Sequence, residues 1–354
     1  ILFADSQTSV QDLLDQNDLG LGDQIIVTAS QAAGFSVTSG DSGVLIHGTP
    51  GVNVNGPVLV DGASDVVIQR LTFMGGLTVS NTTGALLREN TIGGAQLQLV
   101  SDADTVVAEN TILAGISISG SSRASVVHNQ IFEGLYLKEA AVADVLVEHN
   151  TILSDGFNIY VVSSGNIRSN QITGVTGLSI VAPFTGLIEK NDIYDSYIGV
   201  RYGAYAALSG NRIFGNDTGV LSLVSDLIAA LGSYPGTAPN EIFSNEIGVQ
   251  LDGGRVQNQQ ITDNTTGIAG TGIAGGEDLS LANWIVRNET GVNISGDVQF
   301  NRLTENTTAI RPSSRALIAH NILDMNTDVG VLVDGASDVR IFNNTITAEV
   351  GANI

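Results

Sequence analysis

The side chains able to do chemistry in this sequence are mostly carboxylates, because it contains no cysteine and only two lysines. Three aspartates, Asp192, Asp195 and Asp217, lie in the stretch that is richest in tyrosine. Glycoside hydrolysis needs two carboxyl groups roughly 5–9.5 Å apart, which these residues could supply. The same aspartates occupy expected turn positions, where Asp is common for backbone reasons. A turn role is the simpler interpretation, and a catalytic pair is the alternative.

Tyrosine and basic residues predict a second kind of site. Six of the seven tyrosines lie between residues 160 and 234, and the seventh is Tyr136. When the chain is aligned on its recurring asparagines, one outward strand face of the middle region collects Tyr136, Lys138, Asn158, Tyr160, Arg201 and Tyr202. Sugar rings stack on tyrosine and polar groups bond their hydroxyls, so this set predicts a carbohydrate-binding surface. The alternative is that exposed tyrosines simply suit β-strands.

Four further aspartates suggest calcium. Asp61, Asp65, Asp102 and Asp104 fall at expected turns, and Ca²⁺ prefers carboxylate oxygens. The spacing of an EF-hand or of calcium-binding nonapeptide repeats does not occur, so no metal-ligand set is assigned. Ca²⁺ is therefore kept only as a candidate cofactor.

Charge narrows the class of partner. The 354 residues carry 36 acidic against 14 basic side chains, a formal net charge of −22. Nucleic acids and anionic membranes attract basic surfaces, so neither is an expected partner. No apolar run reaches the roughly 18 residues of a membrane span, so we expect no membrane insertion. The acidic balance favours a secreted or cell-surface setting, where divalent cations screen carboxylates.

A sequence repeat predicts where all of these residues lie in the fold. Asparagine recurs with Ile or Leu two places later, and from Asn90 to Asn211 the spacings are 20, 19, 21, 20, 21 and 20 residues. The full predicted set is Asn90, Asn110, Asn129, Asn150, Asn170, Asn191, Asn211, Asn240, Asn258, Asn283, Asn301, Asn321 and Asn344. A period near 20 fits leucine-rich repeats or a parallel β-helix. Three short alternating strands per repeat, without helical spacing, favour an all-β solenoid of about 14 coils.

The repeat also predicts what lies inside and at the corners. Asparagine adopts left-handed backbone angles, and stacked amides form a ladder. His128, His149 and His320 each precede a ladder asparagine, which favours a ring stack over a metal site. The expected interior is aliphatic and includes Val106, Ile112, Ile118, Ile131, Leu137, Ile159, Ile180, Ile193 and Ile213.

The two halves of the chain differ. From Asn211 onward a second asparagine follows each repeat, at Asn216, Asn245, Asn264, Asn288, Asn306 and Asn326, which predicts a second ladder. Insertions are expected near 224–239, with a helical turn at Asp226–Leu231, and near 268–280. We expect one β-helix domain over 1–354, with a cap and first strand in 1–27 and coils in 28–354.

These motifs resemble the right-handed parallel β-helix of the pectate-lyase-like superfamily. The Asn-x-Ile repeat is similar to that of mannuronan epimerases, periplasmic copper-maturation β-helices and large secreted proteins. The resemblance implies a short capping helix at Ser9–Asp15, with Val10, Leu13 and Leu14 covering the first coil. Because the fold hosts many activities, it does not assign one.

The sequence is compatible with three hypotheses about function. The paired-aspartate, DPHE and arginine motifs of related enzymes are absent, so a carbohydrate-binding or adhesive module that binds a polysaccharide or cell-surface glycan is favoured. The alternative is a polysaccharide-active enzyme, a glycoside hydrolase or else a lyase or epimerase, and the third is a rigid spacer. The coil pattern continues to the last residues without a cap, so we also expect further segments of a larger chain.

Overall fold

The computed structural model describes residues 1–225 and 231–353, which form two compact units, 1–171 and 172–354. Each unit is a stack of short parallel strands, so the predicted all-β parallel solenoid is confirmed. The described residues make about 17 turns, more than the predicted 14. The single domain over 1–354 stays a prediction. Residues 226–230 of the predicted helical turn lie outside the described part.

Three strands per turn build the first unit. Face A comes before each ladder asparagine and contains Leu2–Ala4, Gln24–Val27, Leu45–Gly48, Val67–Gln69, Leu86–Arg88, Val106–Ala108, Ser125–Val127, Val142–Glu148 and Ser163–Arg168. Face B follows the asparagine and contains Asn53–Val54, Thr72–Phe73, Thr91–Ile92, Thr111–Ile112, Gln130–Ile131 and Thr151–Ile152. Face C contains Ser36–Val37, Val58–Asp61, Leu77–Ser80, Leu97–Val100, Ile116–Ser119, Leu135–Leu137 and Phe157–Ile159. The strand Gln171–Ile172 lies at the boundary of the two units.

The second unit also has three strand faces, named in the same way by their place around each ladder asparagine. Face A holds Phe184–Glu189, Ala206–Ser209, Ser314–Ala319 and Val339–Phe342. Face B holds Asp192–Tyr194, Arg212–Phe214, Glu241–Phe243, Gln260–Thr262, Trp284–Val286 and Arg302–Thr304, and face C holds Thr176–Ile180, Ile198–Tyr202, Thr218–Ser222 and Thr308–Ile310. Longer strands turn a corner without a break: Ile247–Val256, Thr266–Ala274, Thr290–Gln299, Ile322–Leu332 and Thr345–Asn353. The strand Thr266–Ala274 occupies the first half of the predicted 268–280 insertion. Only its second half is a loop, and this loop contains the 3-10 turn Leu279–Leu281.

The coil interior is aliphatic because alternate residues of each short strand point inward. Eight of the nine predicted interior residues are 0–1% exposed, namely Ile112, Ile118, Ile131, Leu137, Ile159, Ile180, Ile193 and Ile213. Val106 was assigned wrongly, because its neighbour Val107 is the residue with no exposed surface. Because two valines follow each other here, the sequence does not indicate which of them points inward.

Asparagine amides line the corner between faces A and B. In the first unit, Asn129 Oδ1 accepts from the backbone N of Asn110 at 2.9 Å, and Asn129 in turn donates from its own backbone N to Asn150 Oδ1 at 2.9 Å. The left-handed backbone belongs to the residue before the asparagine, such as His128 (φ 56°) or Glu109 (φ 58°), rather than to the asparagine as predicted. The predicted histidine stack is confirmed for His128 and His149, whose ring centroids are 5.0 Å apart. His320 stacks on Phe300 at 4.9 Å.

One member of the predicted ladder is wrong. The backbone of Asn258 has φ 52° and its side chain donates to the Thr237 carbonyl. Gln259 takes the ladder position, accepting from Asn240 Nδ2 at 2.8 Å and donating its backbone N to Asn283 Oδ1 at 3.1 Å. The Asn-x-Ile frame points to residue 259, because Ile261 stands two places after it.

The second asparagine ladder of the C-terminal half is confirmed. Asn216 donates its backbone N to Asn245 Oδ1 at 3.0 Å, and Asn245 repeats this bond with Asn264 at 3.0 Å. The corner is tight, because a Cβ on Gly219 would lie 2.6 Å from the Gly248 carbonyl oxygen. Glycine is therefore required where the strand leaves this corner.

The predicted capping helix is confirmed as a short α-helix over Val10–Gln16. Ser9 is its N-cap and forms a capping box with Asp12, while Val10, Leu13 and Leu14 are buried. A strand over Leu2–Ala4 precedes the helix and pairs with Gln24–Val27, so the stack begins before the cap rather than after it. The other described helical segments are the 3-10 turns Ser39–Asp41 and Leu279–Leu281.

Candidate carbohydrate-binding surface

Face C of the first unit brings together four of the six predicted carbohydrate-binding residues. Tyr136 and Asn158 are in register on adjacent strands, as the alignment on asparagines predicts. Lys138 and Tyr160 come directly after the ends of these two strands, two residues beyond Tyr136 and Asn158. These four side chains are the "Tyr136 surface". Tyr160 is its most exposed ring, with 48% of its area accessible.

Tyr136 is held in place by a carboxylate that the sequence did not single out. Its Oη donates to Asp155 Oδ2 at 2.7 Å and lies 3.0 Å from the Glu133 carbonyl oxygen. Burial, with the hydrogen bond to Asp155, raises the pKa of the Tyr136 phenol, so the ring stays a neutral donor. Asp155 follows Ser154, which has a left-handed backbone with a φ of 63°.

Lys138 and Asn158 are fixed by further bonds. The Lys138 Nζ lies 5.7 Å from the centre of the Tyr136 ring and donates to Gln96 Oε1 at 3.4 Å. Asn158 is 7% exposed, donates from Nδ2 to the Asp155 carbonyl at 2.9 Å, and accepts from the Tyr160 hydroxyl at 3.3 Å. The Tyr136 surface is therefore organised by its own contacts, which lowers the entropy cost of binding a ligand.

The other two predicted residues lie in the second unit. Arg201 is exposed and stands in register between Ser179 and Leu221, as predicted. The predicted surface position of Tyr202 is wrong, because its side chain is 1% exposed and its Oη donates to the Ala206 carbonyl at 3.0 Å. Tyr202 follows the inward-facing Val200 by two residues, so strand alternation directs it into the coil.

The three candidate catalytic aspartates occupy different positions around the second unit. Asp192 starts a face B strand and accepts from Arg212 Nη1 at 3.2 Å, so its charge is already paired. Asp195 lies at the following corner with φ 50°, and Asp217 is an exposed turn residue whose backbone N bonds the Ser196 carbonyl. These contacts favour the turn role over a catalytic pair.

The calcium candidates are engaged in separate contacts. Asp61 accepts from Ser80 Oγ at 2.7 Å and Asn81 Nδ2 at 2.9 Å, which lower its pKa. Asp104 pairs with Arg123 at 2.6 Å, and that bond likewise lowers its pKa. Asp65 has a left-handed backbone, φ 55°. Within 1–225 and 231–353, no group of three or more acidic or histidine side chains is arranged to hold a metal ion.

Asp102 differs from the other candidates because it is buried, with 2% of its area exposed. Loss of hydration raises its pKa to about 7, and the charge of Asp61 adds to that effect. Its Oδ1 accepts from the backbone N of Thr82 at 3.2 Å. Its geometry is that of a corner ladder residue rather than of a cation ligand.

An aromatic ladder on face B of the second unit was missed. The rings of Tyr194 and Phe214 have centroids 5.3 Å apart, and those of Phe214 and Phe243 are 5.0 Å apart, both nearly parallel. The Arg212 guanidinium lies 5.1 Å from the centre of the Phe214 ring. The signal was present as an aromatic residue directly after the repeat isoleucine, in NDIY, NRIF and NEIF.

Part of the sequence matches a known protein family. The family model described as NosD, periplasmic copper-binding protein, matches residues 58–222. This match covers a little under half of the chain and is to a periplasmic copper-protein family of the kind that the repeat resembles. This confirms the predicted resemblance. No curated protein matches the sequence.

Solved structures resemble this β-helix only distantly. The A-module of the mannuronan C-5 epimerase AlgE6 of Azotobacter vinelandii is 14% identical, with a TM-score of 0.26 and coverage of 94% of this chain and 91% of that one. The periplasmic alginate epimerase AlgG is 11% identical, with a TM-score of 0.26 and coverage of 98% and 83%. PfbA, a surface adhesin of Streptococcus pneumoniae, is 8% identical, with a TM-score of 0.29 and coverage of 94% and 85%.

Proposed function

We propose that this protein is a carbohydrate-binding or adhesive β-helix module that works outside the cytoplasm, secreted or at the cell surface. A polysaccharide or cell-surface glycan is its partner. The observation that carries the proposal is the bond from Tyr136 to Asp155, which fixes an aromatic ring beside Lys138 and the exposed Tyr160. Rings and hydrogen-bonding groups on one flat strand face suit a sugar chain.

Charge and the family match support the setting. The chain carries a formal net charge of −22, which disfavours nucleic acid and anionic membrane as partners. No helix among the described residues has the length and apolar character of a membrane span. The matching family model is described as periplasmic, which agrees with a location outside the cytoplasm.

A glycan array tests the proposal, together with a reducing-sugar release assay on the same panel. We expect binding without release in the wild type, and at least a tenfold weaker signal for the double variant Tyr136→Ala/Tyr160→Ala. Tyr197→Ala is the matched control, because Tyr197 is a 66% exposed tyrosine of the second unit. Equal binding by the double variant and the control would refute the site.

A second candidate, a polysaccharide-active enzyme, is favoured by one feature of the second unit. A concave cavity of about 670 Å³ is lined by Asp297, Asp338, Arg315 and Arg340, among others. Within the described part of the chain, neither arginine has a salt-bridge partner. Carboxylates beside free guanidinium groups suit acid–base chemistry on a sugar. Sugar release that Asp297→Asn or Asp338→Asn abolishes would establish this alternative.

A further inference from the structure

The aromatic ladder of the second unit stops abruptly. Tyr194, Phe214 and Phe243 stack in register along one outer column of face B. The next two positions of that column are Thr262 and Val286, whose side chains are much smaller. Because the rings are nearly parallel and repeat at the coil spacing, the second face of Phe243 is turned toward the coil that carries Thr262.

A hollow lies beside Thr262, the residue that follows Phe243 in this column. It has a volume of about 270 Å³ and is lined by Gln260, Thr262, Trp284 and Val286. Trp284 stands in the neighbouring outer column and is 54% exposed. The Arg302 guanidinium lies 5.5 Å from its ring centre, which helps to hold the indole in place. We name this space the "Trp284 hollow".

The chemistry of the Trp284 hollow is mixed. An indole and a valine offer apolar surface, whereas the exposed Gln260 amide and the Thr262 hydroxyl offer hydrogen bonds. A sugar ring has the matching chemistry, with an apolar face and a rim of hydroxyls. Pockets for drug-sized ligands measure about 300–1,000 Å³, so this smaller space suits one ring.

We propose that the Trp284 hollow binds a single pyranose ring, which continues the ladder of Tyr194, Phe214 and Phe243. The site is separate from the Tyr136 surface and shares only the ligand class with the proposed function. A terminal or branch residue of a glycan is its natural occupant, because the hollow admits one ring.

Intrinsic fluorescence tests the proposal directly, because Trp284 is the single tryptophan of the chain. The probes are the methyl glycosides of glucose, galactose, mannose and N-acetylglucosamine, with cyclohexanol as a ring that lacks the hydroxyl rim. We expect at least one glycoside to change Trp284 emission saturably, with a dissociation constant on the order of 1 mM. No response to any glycoside, or an equal response to cyclohexanol, would overturn the proposal.

Thr262→Phe is the decisive variant, because the added ring extends the ladder and fills the hollow. We expect it to fold and to lose the glycoside response by at least tenfold, whereas Thr304→Phe, in the same column beyond Val286, keeps it. Gln260→Ala removes the amide without adding bulk, and we expect about tenfold weaker binding. A wild-type response in both Thr262→Phe and Gln260→Ala would refute the site. Tyr136→Ala should leave the Trp284 signal unchanged, so this test and that of the Tyr136 surface fail independently.

Discussion

Asp102 bonds Thr82 of the neighbouring coil as a ladder asparagine bonds its neighbour, but it does so at the corner between faces C and A. Its Oδ1 accepts from the backbone N of Thr82 at 3.2 Å, just as Asn110 Oδ1 accepts from the backbone N of Asn90 at 2.8 Å. The second atom differs, because Asn110 Nδ2 donates to the Leu87 carbonyl at 2.9 Å, whereas Asp102 Oδ2 is buried with no partner in the described part of the chain. The ionised form of Asp102 is therefore disfavoured, and its pKa rises to about 7.

The first prediction is that Asp102→Asn stabilises the protein only at higher pH. Because the folded-state pKa of about 7 exceeds the usual 3.8, the acid's stability contribution is fully present below about pH 4 and is lost as the pH rises through 7. At about 1.4 kcal/mol per pKa unit, the loss is on the order of 4 kcal/mol. We expect urea unfolding at pH 8 to show a gain of up to about that size for Asp102→Asn, and little change at pH 4.

Asp104→Asn is the matched control for Asp102. Asp104 lies nearby in sequence but is paired with Arg123, which lowers its pKa. Its replacement should lower the unfolding free energy only slightly at pH 8, because a solvent-exposed ion pair contributes little to stability. A gain for Asp102→Asn that is the same at pH 4 and pH 8 would show that its carboxyl is not the source.

The second prediction concerns Asn129 in the middle of the first ladder. Its amide donates to the Val107 carbonyl at 2.8 Å and to Asn150 Oδ1 at 3.0 Å, while its Oδ1 accepts from Asn110. Asn129→Ala leaves these buried groups unpaired, so we expect a loss of roughly 2–4 kcal/mol in urea unfolding. Asn166→Ala, at an exposed strand position, should change stability by less than about 0.5 kcal/mol. Comparable losses in the two variants would contradict the role of the ladder.

The third prediction tests the interior. Ile131 has no exposed surface, and the next coil places Ile152 in register with it. Ile131→Ala should lower the unfolding free energy by roughly 2–5 kcal/mol, because it removes apolar contacts and leaves a cavity. Gln130→Ala changes the exposed neighbour in the same strand and serves as the control. If both substitutions had a similar, small effect, Ile131 would not stabilise the coil interior as predicted.

Much of the fold could be predicted from the sequence, because every coil of a solenoid has the same structural requirements at its corners and strands. The corner between faces A and B needs an amide in each coil that bonds the neighbouring coils, and each strand needs an aliphatic residue in a fixed phase. The errors arose where the local signal was ambiguous: Asn258 stands beside Gln259, and Val106 beside Val107. For the valines only the register to the next coil decides between the two residues, whereas Ile261, two places after Gln259, already marks the ladder position in the sequence.

The site was less predictable, because its contacts join residues that are distant in the sequence. Tyr136 and Asp155 are 19 residues apart and meet only because coils stack. Tyr202 has the same residue type as Tyr160 but the opposite orientation, and only strand phase separates the buried ring from the exposed one. The hollow beside Trp284 arises from the small residues Thr262 and Val286, whose side chains give no sequence signal for a binding site.

The fourth prediction is that the aromatic ladder is energetically coupled. Phe214 and Phe243 stack at 5.0 Å, with Arg212 beside both rings. A double-mutant cycle with Phe214→Leu and Phe243→Leu should give a coupling of about 0.5–1.5 kcal/mol in thermal or urea unfolding, because each leucine removes one partner of the stack. A control cycle of Phe214→Leu with Thr304→Val should give a coupling near zero, because Thr304 lies four coils further along the face, roughly 19 Å away. Equal coupling in the two cycles would show that the stack contributes no specific interaction, and it would also remove the physical reason to expect a sugar ring to extend it.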